Sequence, residues 1–164
     1  MSASHEELVA KQAITEALYR YCRAMDRLDA ELGYSVWHGD GTADYGILFQ
    51  GSGSGFVDWV CQRHSAMSGH SHQVSNVLIL VDGERAGSEA YVTTALRNVD
   101  ESGTTVQRTI RGRYVDRWSR RNGIWAIDHR QYLHDFDDVT EIGTGGRETS
   151  GRRDRTDPSY ELLA

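Results

Sequence analysis

The sequence predicts an α+β domain, with helices first and an antiparallel meander of long strands after them. Three observations carry this. Near the N-terminus Ile14, Leu18, Cys22 and Met25 recur at helical spacing, with Ala10 continuing the stripe one turn upstream. From Ser71 onward the period changes to that of strands. Asn122-Gly123 then stands between two runs rich in β-branched and aromatic residues, the strongest short-range signal for a two-residue hairpin. Helices that precede a meander pack on one face of a strongly bent sheet.

Each element has its own signal. Ser4-His5-Glu6-Glu7 is a capping box that opens a helix over His5 to Arg27. Asp26 falls one turn after Cys22, so its carboxylate points toward the buried side. Asp29 caps a second short helix that includes Leu32, Val36 and Trp37. His38-Gly39-Asp40-Gly41 reads as a turn, Ala43 to Phe49 as a strand containing Tyr45, and Gly51 to Gly55 as the turn that ends it. A third helix over Phe56 to Met67 carries Val57, Val60, Cys61 and His64 on one face, with Asp58 near its positive end. A strand over Ser71–Val81 sends His72, Val74, Asn76, Leu78 and Leu80 to one face. Strands over Ser88–Val99, Thr104–Ser119 and Ile124–Leu133 complete the meander. After Phe136 the composition shifts to glycine and arginine, and the chain divides into a domain over 1–142 and a polar tail over 143–164.

The 164 residues are 38% hydrophobic and 26% charged, which suits one domain with a sizeable core. The net charge of −6 argues against a nucleic-acid surface. No apolar run approaches a membrane span and no leader pattern opens the chain, so the expected location is the cytoplasm. Cys22 and Cys61 have no metal-type spacing and read as small helix hydrophobes.

The chemistry is that of acids and bases. No phosphate-binding loop, dinucleotide fingerprint or zinc spacing occurs, and no cofactor is expected. Gly51-Ser52-Gly53-Ser54-Gly55 has Gly53 where a nucleophile elbow needs serine. His70 and His72 share strand parity, but no third metal ligand is placed by the sequence. What remains is His72 on an apolar strand face, with Asp26 at the end of the helix that covers it. A carboxylate beside an imidazole holds its tautomer and stabilises the imidazolium. Arg130 can hold an anionic or departing oxygen, and Tyr21 and Tyr45 offer phenol donors. Simple alternation puts Trp125 and Arg130 on opposite faces. A bulge between them lets both point inward.

Several stretches together resemble the SnoaL-like branch of the nuclear transport factor 2-like superfamily. They are Tyr21-Cys22-Arg23-Ala24-Met25-Asp26-Arg27-Leu28-Asp29, His72-Gln73-Val74-Ser75-Asn76, Arg113-Tyr114-Val115-Asp116-Arg117-Trp118, Asn122-Gly123-Ile124-Trp125, and Gly151 to Tyr160. That branch includes scytalone dehydratase, bile acid 7α-dehydratase and hexachlorocyclohexane dehydrochlorinase. The resemblance implies a cone: a curved mixed sheet wrapped round an apolar pocket and closed by N-terminal helices. It implies His72 as general base, Asp26 as its orienting partner, and Arg130 and Tyr21 at the leaving group. The tyrosine favours the dehydratase side over the dehalogenating one. Tyr45, Asn76 and Trp37 are the expected substrate contacts. The implied function is a cofactor-independent lyase acting on an apolar cyclic or polycyclic substrate with loss of water. The alternatives are an isomerase or cyclase of the same fold, or a non-catalytic ligand-binding or oligomerisation subunit like a dioxygenase β subunit. A homo-oligomer is expected because one set of helices covers only one face of the sheet, and the resemblance implies a trimer or a dimer, the trimer first.

Overall fold

The computed structural model describes residues 4–142 and 149–163. Helix α1 spans His5–Arg27 and buries Ile14, Leu18, Tyr21, Cys22 and Met25, the stripe that the spacing predicts. Ser4 Oγ accepts the Glu7 N–H at 3.1 Å. The Glu7 carboxylate pairs with Lys11 one turn on and also reaches back to the Ser4 backbone N–H, as a capping box does. Leu28 adopts a left-handed conformation (φ 53°) and ends the helix abruptly. The sharp turn leaves Asp29 free to cap α2 (Ala30–Tyr34), where its Oδ1 accepts the Leu32 N–H at 3.1 Å.

The next segment departs from the sequence reading. Val36 and Trp37 lie outside α2, and His38 to Gly41 are strand residues, not a turn. They belong to β1 (Trp37–Asp44), which runs parallel to the last strand. Glycines at 39 and 41 look like a turn in isolation. They fall where the β1–β6 register shifts between Trp37 and Thr42, and the pairs on either side carry the segment along the strand. Tyr45 to Phe49 is the turn instead: Asp44 Oδ1 accepts the Gly46 N–H at 2.8 Å, and Gly46 has φ 61°. A short β2 (Gln50–Ser52) follows, and Ser52 caps α3 (Gly53–Ser65) by accepting the Gly55 N–H at 3.1 Å. The Gly-Ser run is therefore the start of a helix. Gly53 is needed there, because a Cβ would stand 2.3 Å from the Trp37 ring.

Four long strands make the meander: β3 (Gly69–Asp82), β4 (Arg85–Val99), β5 (Thr105–Arg121) and β6 (Ile124–Ile142). With β1 and β2 they form one curved, unclosed mixed sheet in the order β2-β1-β6-β5-β4-β3. Asn122 and Gly123 both have positive φ, the type I′ geometry that matches strand twist. Two irregularities decide which side chains face the helices. In β3 the register shifts between Ser75 and Leu78, and Asn76 is left-handed (φ 49°). His72 and Val74 point inward as expected. Beyond the bulge the parity inverts: Val77, Ile79 and Val81 pack on the core, while Asn76, Leu78 and Leu80 face outward. In β6 the register skips Asp128, because Trp118 pairs with Ile127 and Arg117 with His129. Trp125 and Ile127 before the bulge, and Arg130 after it, are all buried. Among the described residues no helix is long and apolar enough to cross a membrane.

Gly112 sits where β6 leaves no room for a side chain on β5. A Cβ there would meet the Leu133 carbonyl oxygen at 2.4 Å and the Tyr132 ring at 2.6 Å. Backbone cannot give way as a flexible side chain can. Gly112→Ala should therefore destabilise the fold by about 2 kcal/mol, the usual cost of overpacking. The shift of the urea midpoint at unchanged slope measures it.

Candidate active site

Helix α1 crosses the start of β3 so that Asp26 faces His72. The imidazole Nδ1 donates to Asp26 Oδ1 at 2.7 Å. The His72 backbone N–H reaches both carboxylate oxygens at 3.0 Å. One carboxylate thus holds ring and backbone of the same residue. With Nδ1 as the donor, Nε2 carries the lone pair. The side chains of His72 and Asp26 are 6% and 16% exposed, sheltered yet reachable. Both line a groove of about 620 Å³ between α1 and the edge strand β3.

Two further imidazoles stand beside this pair. His64, from the last turn of α3, has its ring 4.6 Å from that of His70 and 5.3 Å from that of His72. His70 Nε2 donates to the Met25 carbonyl at 2.9 Å, which ties β3 to the end of α1. Burial pushes the His64 pKa down to about 3, and its neighbouring imidazoles add to the effect. Burial also lowers that of His70. Among the described residues no group of three metal-ligating side chains converges.

Arg130 lies in the interior, away from the groove. Its Nε and Nη2 donate to the two oxygens of Asp116 at 2.7 Å each, and neither side chain has any exposed surface. The guanidinium stacks over the rings of Tyr114 (3.9 Å), Tyr21 (4.3 Å) and Trp37 (5.6 Å). Burial works against its charge, and the Asp116 carboxylate outweighs that, holding Arg130 well above its ordinary range. Its Nη1 has no acceptor among the described residues. Tyr21 and Tyr45 share a hydrogen bond at 2.9 Å, and burial raises both phenols. Tyr45 also stacks on Phe56 and Tyr132. Cys22 lines the groove and stands between the two charged centres. Burial raises its thiol to about 12, with Arg130 pulling it down and Asp26 pushing it up.

The sequence-derived candidates therefore separate. His72 and Asp26 meet in the groove. Arg130, Tyr21, Tyr45 and Trp37 gather in an aromatic box behind Cys22. Asn76 belongs to neither: the β3 bulge turns it into solvent, which removes the geometric basis for a substrate contact. The sequence reading missed Asp116, although its place opposite Arg130 across the hairpin could be counted from Asn122-Gly123 once the Asp128 bulge is allowed. It also gave no role to His64, which was legible only as a buried helix residue.

The tail closes one side. Tyr160 Oη donates to Asp29 Oδ2 at 2.7 Å, and Arg155 reaches Glu31 at 2.8 Å. Arg153 donates to the His64 carbonyl at 3.1 Å and to His70 Nδ1 at 3.3 Å. The short helix α4 (Ser159–Leu162) is followed by Leu163, which lines the groove. The described part of the tail lies on its own chain. The Gly143-rich start of the tail falls outside the described residues.

Helices laid on a curved, unclosed mixed sheet are the architecture of the nuclear transport factor 2-like superfamily. Within it the chain belongs to the SnoaL-like domain family, whose profile matches residues 6–131. Solved structures agree on the fold. A protein of Novosphingobium aromaticivorans, provisionally assigned as a scytalone dehydratase, is 21% identical with a TM-score of 0.69, over 88% of this chain and 95% of that one. A hexachlorocyclohexane dehydrochlorinase of Novosphingobium barchaimii is 16% identical with a TM-score of 0.69, over 87% and 96%. A protein of unknown function from Mycobacterium tuberculosis is 21% identical with a TM-score of 0.68, over 82% and 77%. No curated protein matches the sequence at a significant level.

His64 makes the site acid-sensitive. Its pKa is about 3 when folded, against about 6.5 for a free imidazole. Between these values the unfolded chain binds the extra proton, so stability falls as pH drops from about 6.5 toward 3. A His64→Phe variant lacks that proton uptake and should lose less stability over the same interval. Urea titrations at about pH 7 and about pH 4.5 compare the two proteins.

Proposed function

We propose that the protein is a cofactor-independent lyase of the dehydratase type. The observation that carries this reading is the grip of Asp26 on both the ring and the backbone of His72 in an open groove. That grip leaves Nε2 as a positioned base and keeps a carboxylate beside the imidazolium it becomes. The reaction is removal of a proton from carbon next to a carbonyl or enone, on an apolar cyclic or polycyclic substrate. The C–H electron pair becomes the new double bond, the C–O bond breaks, and the departing hydroxyl takes a proton from the His72 imidazolium and leaves as water, which restores the base. For Arg130 and Tyr21 to serve the departing oxygen, the substrate has to pass Cys22 into the aromatic box, since neither side chain lines the groove. Arg130 Nη1 supports this, being a buried cationic N–H without an acceptor among the described residues. Trp37 and Tyr45, in the same box, would then pack on the cyclic body. The structural likeness to a dehydrochlorinase and to a provisionally assigned dehydratase agrees with elimination chemistry.

His72→Ala should lower turnover by about two to four orders of magnitude, the range for a positioned acid–base group. The fold should survive, since Asp26 keeps the His72 backbone N–H that it already accepts. Dehydration of a panel of cyclic β-hydroxy ketones, followed by absorbance of the conjugated product, is the assay. Near-full activity of the variant would remove His72 from the mechanism.

The assembly reading is a homo-oligomer, a trimer before a dimer. Leu78, Leu80 and Tyr91 are 69%, 81% and 44% exposed on neighbouring strands of the outer face, and an apolar group of this kind is the sort that closed symmetry covers. Light scattering at low micromolar concentration should give a mass above that of one chain. A stable monomer rejects this assembly.

A further inference from the structure

The groove beside His72 has a chemistry that proton abstraction does not use. Glu16, Arg20, Arg23 and Arg27 lie at i, i+4, i+7 and i+11 of α1, one stripe of the helix, and all four line the groove. Three guanidinium groups thus border the cavity that holds the dyad. Its two acids are already engaged: Glu16 accepts from Gln12 at 2.9 Å, and Asp26 is held by His72. The arginines are less well matched. Arg23 Nη1 donates to Ser159 Oγ at 2.9 Å and its guanidinium lies 4.5 Å over the Tyr160 ring. Its Nη2 is buried with no acceptor among the described residues. Arg27 Nε lies 3.5 Å from Asp157 Oδ1, and it too is buried without a hydrogen bond. Arg20 is exposed and has no ion-pair partner among the described residues. A charged donor buried without an acceptor is costly, and native structures seldom keep one idle.

We propose that this arginine stripe is a carboxylate subsite: the substrate carries a carboxylate on its cyclic body, and Arg23, with Arg20 and Arg27, binds it. A guanidinium offers two parallel N–H groups that match the two oxygens of a carboxylate. Leu163 and Val74 supply apolar wall in the same groove. An acid anchored on α1 would hold the ring beside the His72 imidazole, so the subsite sets orientation as well as affinity. Where the reacting carbon lies rests on the lyase reading. The binding preference itself does not.

The test is calorimetric binding of 2-naphthoate against its neutral isostere 2-naphthamide to the full chain. The acid should bind about tenfold tighter, the value of one hydrogen bond to a charged group, and less so as salt is raised. Arg23→Gln should erase the preference. Arg20→Gln, which breaks no contact within the described chain, should reduce it about threefold, as for an exposed pair. Ser159→Ala removes the Arg23 bond to the tail but keeps the guanidinium, so it should retain the preference. That variant separates loss of the charge from loss of tail docking, and Arg20→Gln still decides if Arg23→Gln fails to fold. No preference for the acid in the wild type, including no measurable heat from either compound, overturns the subsite. So does a preference unchanged in both arginine variants. His72→Ala should keep the preference while losing turnover. Intact preference with turnover independent of His72 counts against the lyase reading alone, and lost preference with His72-dependent turnover counts against the subsite alone.

Discussion

A guanidinium with no exposed surface needs an anion beside it, and Arg130 sets the terms for much of this protein. Taking two charges out of water costs several kcal/mol per ion before any return. The return here is a two-pronged bond to Asp116 and three aromatic rings around the remaining faces. That pairing works in one register only. Asp116 and Arg130 are direct partners across the β5–β6 hairpin, and they face inward because Asp128 is skipped. A slip of one residue would leave the aspartate facing in and the arginine facing out. Tyr21 and Trp37 belong to α1 and β1, so the helix layer and the parallel strand are bound to the same charge.

The second centre depends on the first through α1. One helix turns Tyr21 to the arginine, Cys22 to the partition between the centres, Asp26 to His72, and Arg23 to the groove. Its sharp left-handed end at Leu28 delivers Asp29, which caps α2 and accepts the Tyr160 phenol. Burial opposes the Asp29 charge, yet these bonds outweigh it and hold its carboxyl below the ordinary range. The tail is thereby fastened to the same turn that positions the dyad. Arg153 fastens it again at His64 and His70. Helix, edge strand and tail meet at one seam, and the groove runs along it.

The outer face of the sheet follows another logic. Arg113 joins Glu89 on one neighbouring strand and Asp135 on the other, a charged lattice fit for water. Leu78 and Leu80 lie outward beside it for a backbone reason, the left-handed Asn76. The bulge that removes Asn76 from the interior is the same event that exposes two leucines.

Local preference alone determined a good part of this. The capped first helix with its buried stripe, the Asp29 cap, the Asn122-Gly123 turn and the long meander are all short-range consequences of side-chain spacing and backbone freedom. So was the opposition of Asp26 and His72, since helical and strand periods each assign a face. The α+β class and the curved sheet followed from the same order of elements and the resemblance they carry. Only the tertiary structure decided the rest. Parity fails wherever a bulge intervenes, and whether one forms depends on the partner strand, which is why Asn76 turned out and Arg130 turned in. His38 to Gly41 became part of a strand because the pairs that Trp37 and Thr42 make with β6 hold the segment between them, across a shift in register. Asp116, His64 and Arg153 acquired their places through contacts between residues far apart in the chain, and no local period encodes such a contact.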